Sequence, residues 1–138
     1  MKLFFKSKDG GPESNVTGYW LIEWKKVFSI VLLRFDKGSR EAYHNHAFNA
    51  WSWIIKGRLA EHYLLTKYRT GEKVKHIQVI EGGETLFTSR DRLHKVYGLV
   101  DRTWVLSFRG PWNTTWNEYF QESDKTITLT NGRKVIQP

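Results

Sequence analysis

Almost every apolar segment of this chain is short, rich in Val, Ile, Thr, Trp, Tyr and Phe, and closed by a turn signal. Such segments form strands, because branched and aromatic side chains suit a pleated surface and the punctuating Gly, Pro, Asn and Asp residues break any helix. Helical periodicity is weak throughout. The pattern predicts strands near 2–6, 18–24, 27–36, 41–46, 51–57, 59–68, 74–80, 84–88, 94–100, 103–109, 115–120 and 126–136, with "DGGP", "DKGS", "RTGE", "EGGE", "GLVDR" and "RGPW" between them. About a dozen strands at this spacing specify an all-β sandwich or barrel. In the last segment Asn131-Gly132 tolerates the positive φ of a two-residue hairpin turn. With 138 residues and no internal repeat or linker, the chain is expected to be a single domain over 1–138, with residues 1–17 as an N-terminal strand and loop extension.

Composition removes several classes of function. There is no cysteine, so a disulfide framework, a thiolate metal site and a cysteine nucleophile are all excluded. No stretch approaches the ~20 apolar residues of a membrane helix. The N-terminal "MKLFFKSKDGGPES" lacks the apolar core and cleavage site of a secretory signal, so a cytoplasmic protein is expected. Twenty-two Lys and Arg against fourteen Asp and Glu give a net charge of +8, which favours anionic partners. The basic residues are scattered, and that favours a solvated basic surface over a dedicated nucleic-acid patch.

The histidines narrow the chemistry further. In a strand, residues i and i+2 project to the same face, so His44 and His46 of "AYHNHAFNAWSWIIKG" would point side by side into one space, as a chelating pair does. Gly38 stands six positions before His44, Gly57 follows at the distance of a closing turn, and Gly83 precedes another strand histidine, His94. This arrangement resembles the two-motif signature of the cupin superfamily, G-x5-H-x-H-x3-E-x6-G and G-x5-P-x-G-x2-H-x3-N. Gly38, His44, His46 and Gly57 fit the first motif, and Gly83 and His94 fit the second; Ala50 stands at the glutamate position, Ser89 at the proline, Asp91 at the second glycine and Gly98 at the asparagine. The segments "HNHAFNAWSWIIKG", "RDRLHKVYGL" and "TWVLSFRGPW" are also similar to short cupins of bacteria and phages. The resemblance covers 38–120 and implies a double-stranded β-helix, the cupin or jelly-roll barrel, with a metal inside.

Under that resemblance the ligands are His44, His46 and His94, a neutral three-imidazole face like that of cysteine dioxygenase-type cupins, with Ala50 leaving the carboxylate position to water or substrate. Three ligands on one face of an octahedron leave up to three positions open. The implied cofactor is one divalent transition metal, iron first, with Ni, Zn, Mn, Co and Cu also compatible with imidazole. A neutral shell leaves the metal charge uncompensated, which favours a small anionic substrate. Arg92 is a candidate anion anchor, or else one member of a surface group with Arg90 and Asp91. Trp53, Tyr97 and Trp104 are candidates to line the mouth of the barrel and stack on a planar substrate, although aromatic stripes at strand period are commonly core. His62 and Tyr97 are candidate catalytic groups, His62 alternatively being a rim or packing residue, while His76 reads as solvent-facing. Trp112 and Trp116 are expected to cover an open end or a partner surface.

Three readings of function follow: a metal-dependent oxygenase, a non-catalytic ligand-binding cupin, and a basic aromatic module for nucleic acid or protein. The resemblance also implies a homodimer, since cupins pair through strand edges.

Overall fold

The structure is a computed structural model and describes residues 1–9, 14–38, 43–112, 115–120, 125–130 and 135–137. Among these residues it contains β1 (Lys2–Lys8), β2 (Val16–Trp24), β3 (Phe28–Phe35), β4 (Tyr43–His44), β5 (Ala50–Lys56), β6 (Arg58–Thr66), β7 (Lys73–Glu81), β8 (Thr85–Thr88), β9 (Leu93–Gly98), β10 (Thr103–Arg109), β11 (Thr115–Phe120), β12 (Lys125–Thr130) and β13 (Val135–Gln137). All the described pairings are antiparallel. They form a six-stranded sheet, β1-β2-β3-β10-β5-β8, and a seven-stranded sheet, β13-β12-β11-β4-β9-β6-β7. This is a jelly roll. No helix among the described residues is long and apolar enough to cross a membrane. β12 and β13 pair as the final segment predicts, but Asn131-Gly132 lies outside the described residues.

The core lies between the sheets. Trp20 of β2, Val31 and Leu33 of β3, Ile54 of β5, Leu59 of β6, Ile80 of β7 and Val105 of β10 form one buried cluster. Burying seven such side chains supplies roughly 1.5–3 kcal/mol each of transfer free energy, against which the entropy of ordering the strands is set. Strand alternation then fixes what else faces inward: Ser52, Ser107 and Arg109 from one sheet, Glu61 and His94 from the other, all within the same cavity wall. The turn that connects β5 to β6 is set by Gly57, whose φ is +104° and where an added Cβ would lie 2.7 Å from the Cα of Thr103. Both the dihedral and the space demand glycine there. The motif glycines Gly38 and Gly83 also have positive φ.

The tryptophan stripe overturns one expectation. On β5 and β10 the large rings face outward: Trp51 and Trp53 are 60% and 48% exposed, Phe108 is 48% exposed, and Trp104 and Leu106 are half-buried. Register places Trp53 beside Leu106 and Trp51 between Phe108 and Phe87, so a continuous apolar ladder covers the outer face. The alternation was legible, but its sense was reversed. Hydrophobicity assigns the bulkier stripe to the inside, whereas on these two strands the inward alternates are the smaller Ala50, Ser52 and Ile54 of β5 and Thr103, Val105 and Ser107 of β10.

Candidate metal centre

β4 is only two residues long, and its His44 stands directly opposite His94 of β9. His46 lies beyond the strand end, so the expected i, i+2 parity within one strand is not what brings the pair together. Its ring is instead stacked on Phe48, with centroids 5.0 Å apart and planes 23° from parallel. The three imidazoles converge nonetheless. Centroid separations are 5.0 Å for His44 and His46, 4.9 Å for His44 and His94, and 5.0 Å for His46 and His94. One ring nitrogen from each lies within 4.8 Å of the other two, and the group contains no carboxylate.

Two features fit this cluster to a transition metal. The Nε2 atoms of His46 and His94 are 2.9 Å apart. Two imidazoles bound at right angles to one ion, each about 2.1 Å from it, hold their nitrogens about 3 Å apart. The second feature is Glu61, at the centre of β6 and fully buried, whose Oε2 lies 2.7 Å from His94 Nδ1. Burial by itself pushes the Glu61 carboxyl up; the hydrogen bond from His94 and its charge, the hydrogen bond from Gln78 and the Arg92 guanidinium together bring it below the ordinary carboxylate range. Glu61 is therefore ionised at neutral pH and can only accept. His94 must donate from Nδ1, which leaves the Nε2 lone pair as the one that could hold a metal ion.

Around Glu61 the remaining acceptor capacity is also used. Gln78 Nε2 donates to Oε1 at 2.7 Å and Arg92 Nη1 donates to the same oxygen at 3.1 Å. Arg92 also lies over the ring of Tyr63, 4.6 Å from its centroid. It thus points inward, as one of the two readings held, but it braces Glu61 behind His94 and is not part of the cavity wall.

The three histidines open onto a cavity of about 420 Å3. Its floor is the apolar core, and its upper wall includes Phe48, Ala50, Ser52, Thr88, Arg109 and Trp112. Ala50 is buried and puts only a methyl group into this wall. Trp112 closes one side, packed on Phe48 at 5.0 Å and capped by the Lys25 ammonium at 4.8 Å, in line with the expected cover. The side chain of Trp116 lies outside the described residues.

Four expected site residues are elsewhere. Trp53 lies with Trp51, Thr85 and Phe108 along a shallow outer groove. Trp104 packs on Tyr19 at 5.7 Å on the same outer surface. Tyr97 and His62 face outward from β9 and β6, opposite in parity to His94 and Glu61, and contact each other at 4.6 Å. Burial lowers the His62 pKa, and the Lys75 and Lys95 charges lower it further, so this ring is neutral at pH 7. We expect Tyr97→Phe, His62→Gln and Trp53→Ala to leave metal content unchanged by elemental analysis. Trp104→Ala should cost about 1 kcal/mol, the loss of one half-buried ring pair, in place of the larger penalty of a core tryptophan.

Two site residues escaped sequence reasoning, Glu61 and Arg109. Each carries one available signal: a charged residue in the inward parity of a strand whose neighbours are core. Leu59 marks that parity for Glu61, and Val105 marks it for Arg109.

No protein-family model and no curated protein matches the sequence. Solved structures do match. A sugar phosphate isomerase from the cupin superfamily of Silicibacter pomeroyi DSS-3 superposes with a TM-score of 0.61 at 13% identity, over 99% of this chain and 92% of that one. An RmlC-like cupin from Shewanella frigidimarina NCIMB 400 gives 0.53 at 18% identity, over 75% and 81%. HppE in its Fe(II) form gives 0.55 at 10% identity, over 77% and 55%. The chain has the cupin fold.

Proposed function

We propose that this cupin-fold chain is a metal-dependent enzyme acting on a small anionic molecule, with oxygenase chemistry as the reaction class and iron as the ion. The observation that carries the reading is the orientation of His94: a buried, ionised Glu61 holds its Nδ1 proton, so that the Nε2 of His94 faces the space shared with His44 and His46 in the cavity wall. An isolated packing histidine needs no such carboxylate. His44, His46 and His94 would hold the ion, which when bound supplies Lewis-acid and redox chemistry. The chain's own part is to hold the three imidazoles together with no carboxylate among them, to bound the site with the apolar floor beneath them, and to receive an anionic substrate against the uncompensated metal charge. The description of one fold neighbour as an Fe(II) protein and of another as acting on a sugar phosphate agrees with a metal centre and an anionic substrate.

The test starts from protein purified without a histidine tag. About one transition metal ion per chain is expected by elemental analysis, and after anaerobic loading with Fe(II), oxygen uptake that depends on one member of a panel of small carboxylates and phosphates. Metal without uptake across the panel would leave a binding protein in place of an oxygenase. A metal-free chain that takes up no added ion, yet is retained on nucleic acid in a salt-dependent way, would move the function to the basic aromatic surface.

A further inference from the structure

Arg109 ends β10 on its inward face and is 5% exposed. Its guanidinium lies between two rings, 5.1 Å from the centroid of Trp20 and 4.6 Å from that of Phe48, inside the cavity that holds the three histidines. The fork is engaged by a single carboxylate: Nη2 donates to Asp9 Oδ2 at 2.8 Å and Nη1 to Asp9 Oδ1 at 3.3 Å. Nε is buried with no hydrogen-bond partner among the described residues. Asp9 follows β1, 100 residues away in sequence, and its side chain is 27% exposed. His46 is stacked on the same ring, its centroid 5.0 Å from that of Phe48. Phe48 therefore touches both the guanidinium and one of the three clustered imidazoles.

We infer that Arg109 is a carboxylate-binding subsite of this cavity, occupied in this state by Asp9 as an internal substitute, and that a ligand carrying a carboxylate at the end remote from the histidines takes the place of Asp9. The clause about the histidines rests on the metal-centre reading; the Arg109 subsite itself does not. Three observations point this way. A guanidinium pressed between two rings has lost its hydration and cannot shed its proton, so it needs an anion at all times. Asp9 supplies one in the planar, two-pronged geometry that a ligand carboxylate would use. Of the two partners only the acid reaches solvent, so exchange moves Asp9 into water while Arg109 stays fixed and charged. A strut whose sole task was to hold β1 against β10 would gain nothing from placing its cation in the cavity wall beside the histidines.

Because Asp9 is tethered, it competes at an effective concentration on the order of millimolar or higher, and removing its charge should expose the subsite. The experiment titrates the full metal-free chain with malonate and separately with inorganic phosphate, followed by calorimetry and by tryptophan fluorescence. Asp9→Asn, with Asp9→Ser as the second variant, is expected to bind malonate at least tenfold more tightly than the unmodified chain. Adding Arg109→Lys, which keeps the charge and loses the fork, should reverse that gain, and Arg109→Gln should remove binding altogether. Both Asp9 variants binding no more tightly than the unmodified chain, or Arg109→Lys leaving the gain intact, would overturn the inference. Phosphate binding more tightly than malonate would overturn its carboxylate assignment. Uptake of added Zn(II) is measured separately on the unmodified chain and on Asp9→Asn. No uptake by either chain with the malonate gain preserved sinks the metal centre alone, and uptake by both without the malonate gain sinks the subsite alone.

Discussion

His44→Ala is expected to leave purification with almost no bound metal, and its affinity for added Zn(II) or Fe(II) should fall by well over 100-fold. Loss of a residue that merely orients a ligand costs about 10–100-fold, and loss of one of three ligands must exceed that. His44 is suited to the test because its ring stands edge-on to both His46 and His94, and its removal opens the face they share. A folding defect would be the rival explanation of lost metal. It is separated by melting the metal-free proteins, where His44→Ala, truncation of one buried polar ring, should cost about 1 kcal/mol and leave the chain folded. On addition of metal the unmodified chain should then gain stability by mass action, by about 2.7 kcal/mol at a hundred times its dissociation constant, and the variant should gain nothing. Unchanged metal content in His44→Ala, with His94→Ala also unchanged, would show that the cluster is packing. His76→Ala is the control, since His76 is exposed and stacked on Tyr63, outside the cluster.

How far the sequence disclosed this site differs residue by residue, for physical reasons. His44, His46 and His94 were legible because their spacing from Gly38, Gly57 and Gly83 matches a two-motif pattern. What the spacing does not say is that β4 and β9 are neighbours in one sheet, where register sets His44 opposite His94 while His46 lies beyond its strand. Trp53 and Trp104 were misplaced because alternation identifies two faces without saying which is inner. The usual criterion, bulk hydrophobicity, fails on β5 and β10, where the smaller alternates face inward. Tyr97 and His62 fell to the same ambiguity: His94 and Glu61 are inward, so Tyr97, three residues after His94, and His62, next to Glu61, have the outward parity. Arg109 went unnoticed because an arginine before "GPW" looks like a surface residue at a turn. Its partner Asp9 sits in a segment with every mark of a loose extension, and only the three-dimensional closure of β1 on β2 brings the two together.

The second large effect concerns Glu61, and here stability and metal affinity should move by separable amounts. This carboxylate is fully buried on β6, cross-strand from Gln78 of β7, and it accepts from Gln78, Arg92 and His94. Glu61→Ala leaves the Arg92 guanidinium and a histidine N–H without their acceptor. Breaking a fully buried pair from one side costs about 3–5 kcal/mol, and because the Arg92 side chain is 28% exposed the loss here should fall at or below the lower end of that range. Glu61→Gln keeps the volume and one carbonyl acceptor, so its melting temperature should fall less. Its metal affinity should still drop about 10–100-fold, because a neutral amide no longer forces the proton of His94 onto Nδ1 and no longer raises the basicity of Nε2. Calorimetric metal titration of both variants, read beside their melting curves, decides the role. If Glu61→Gln binds metal as tightly as the unmodified chain while losing stability, the carboxylate is only an anchor for Arg92. If metal affinity falls while most of the stability remains, Glu61 sets the tautomer and basicity of a ligand, and His94 acts as one.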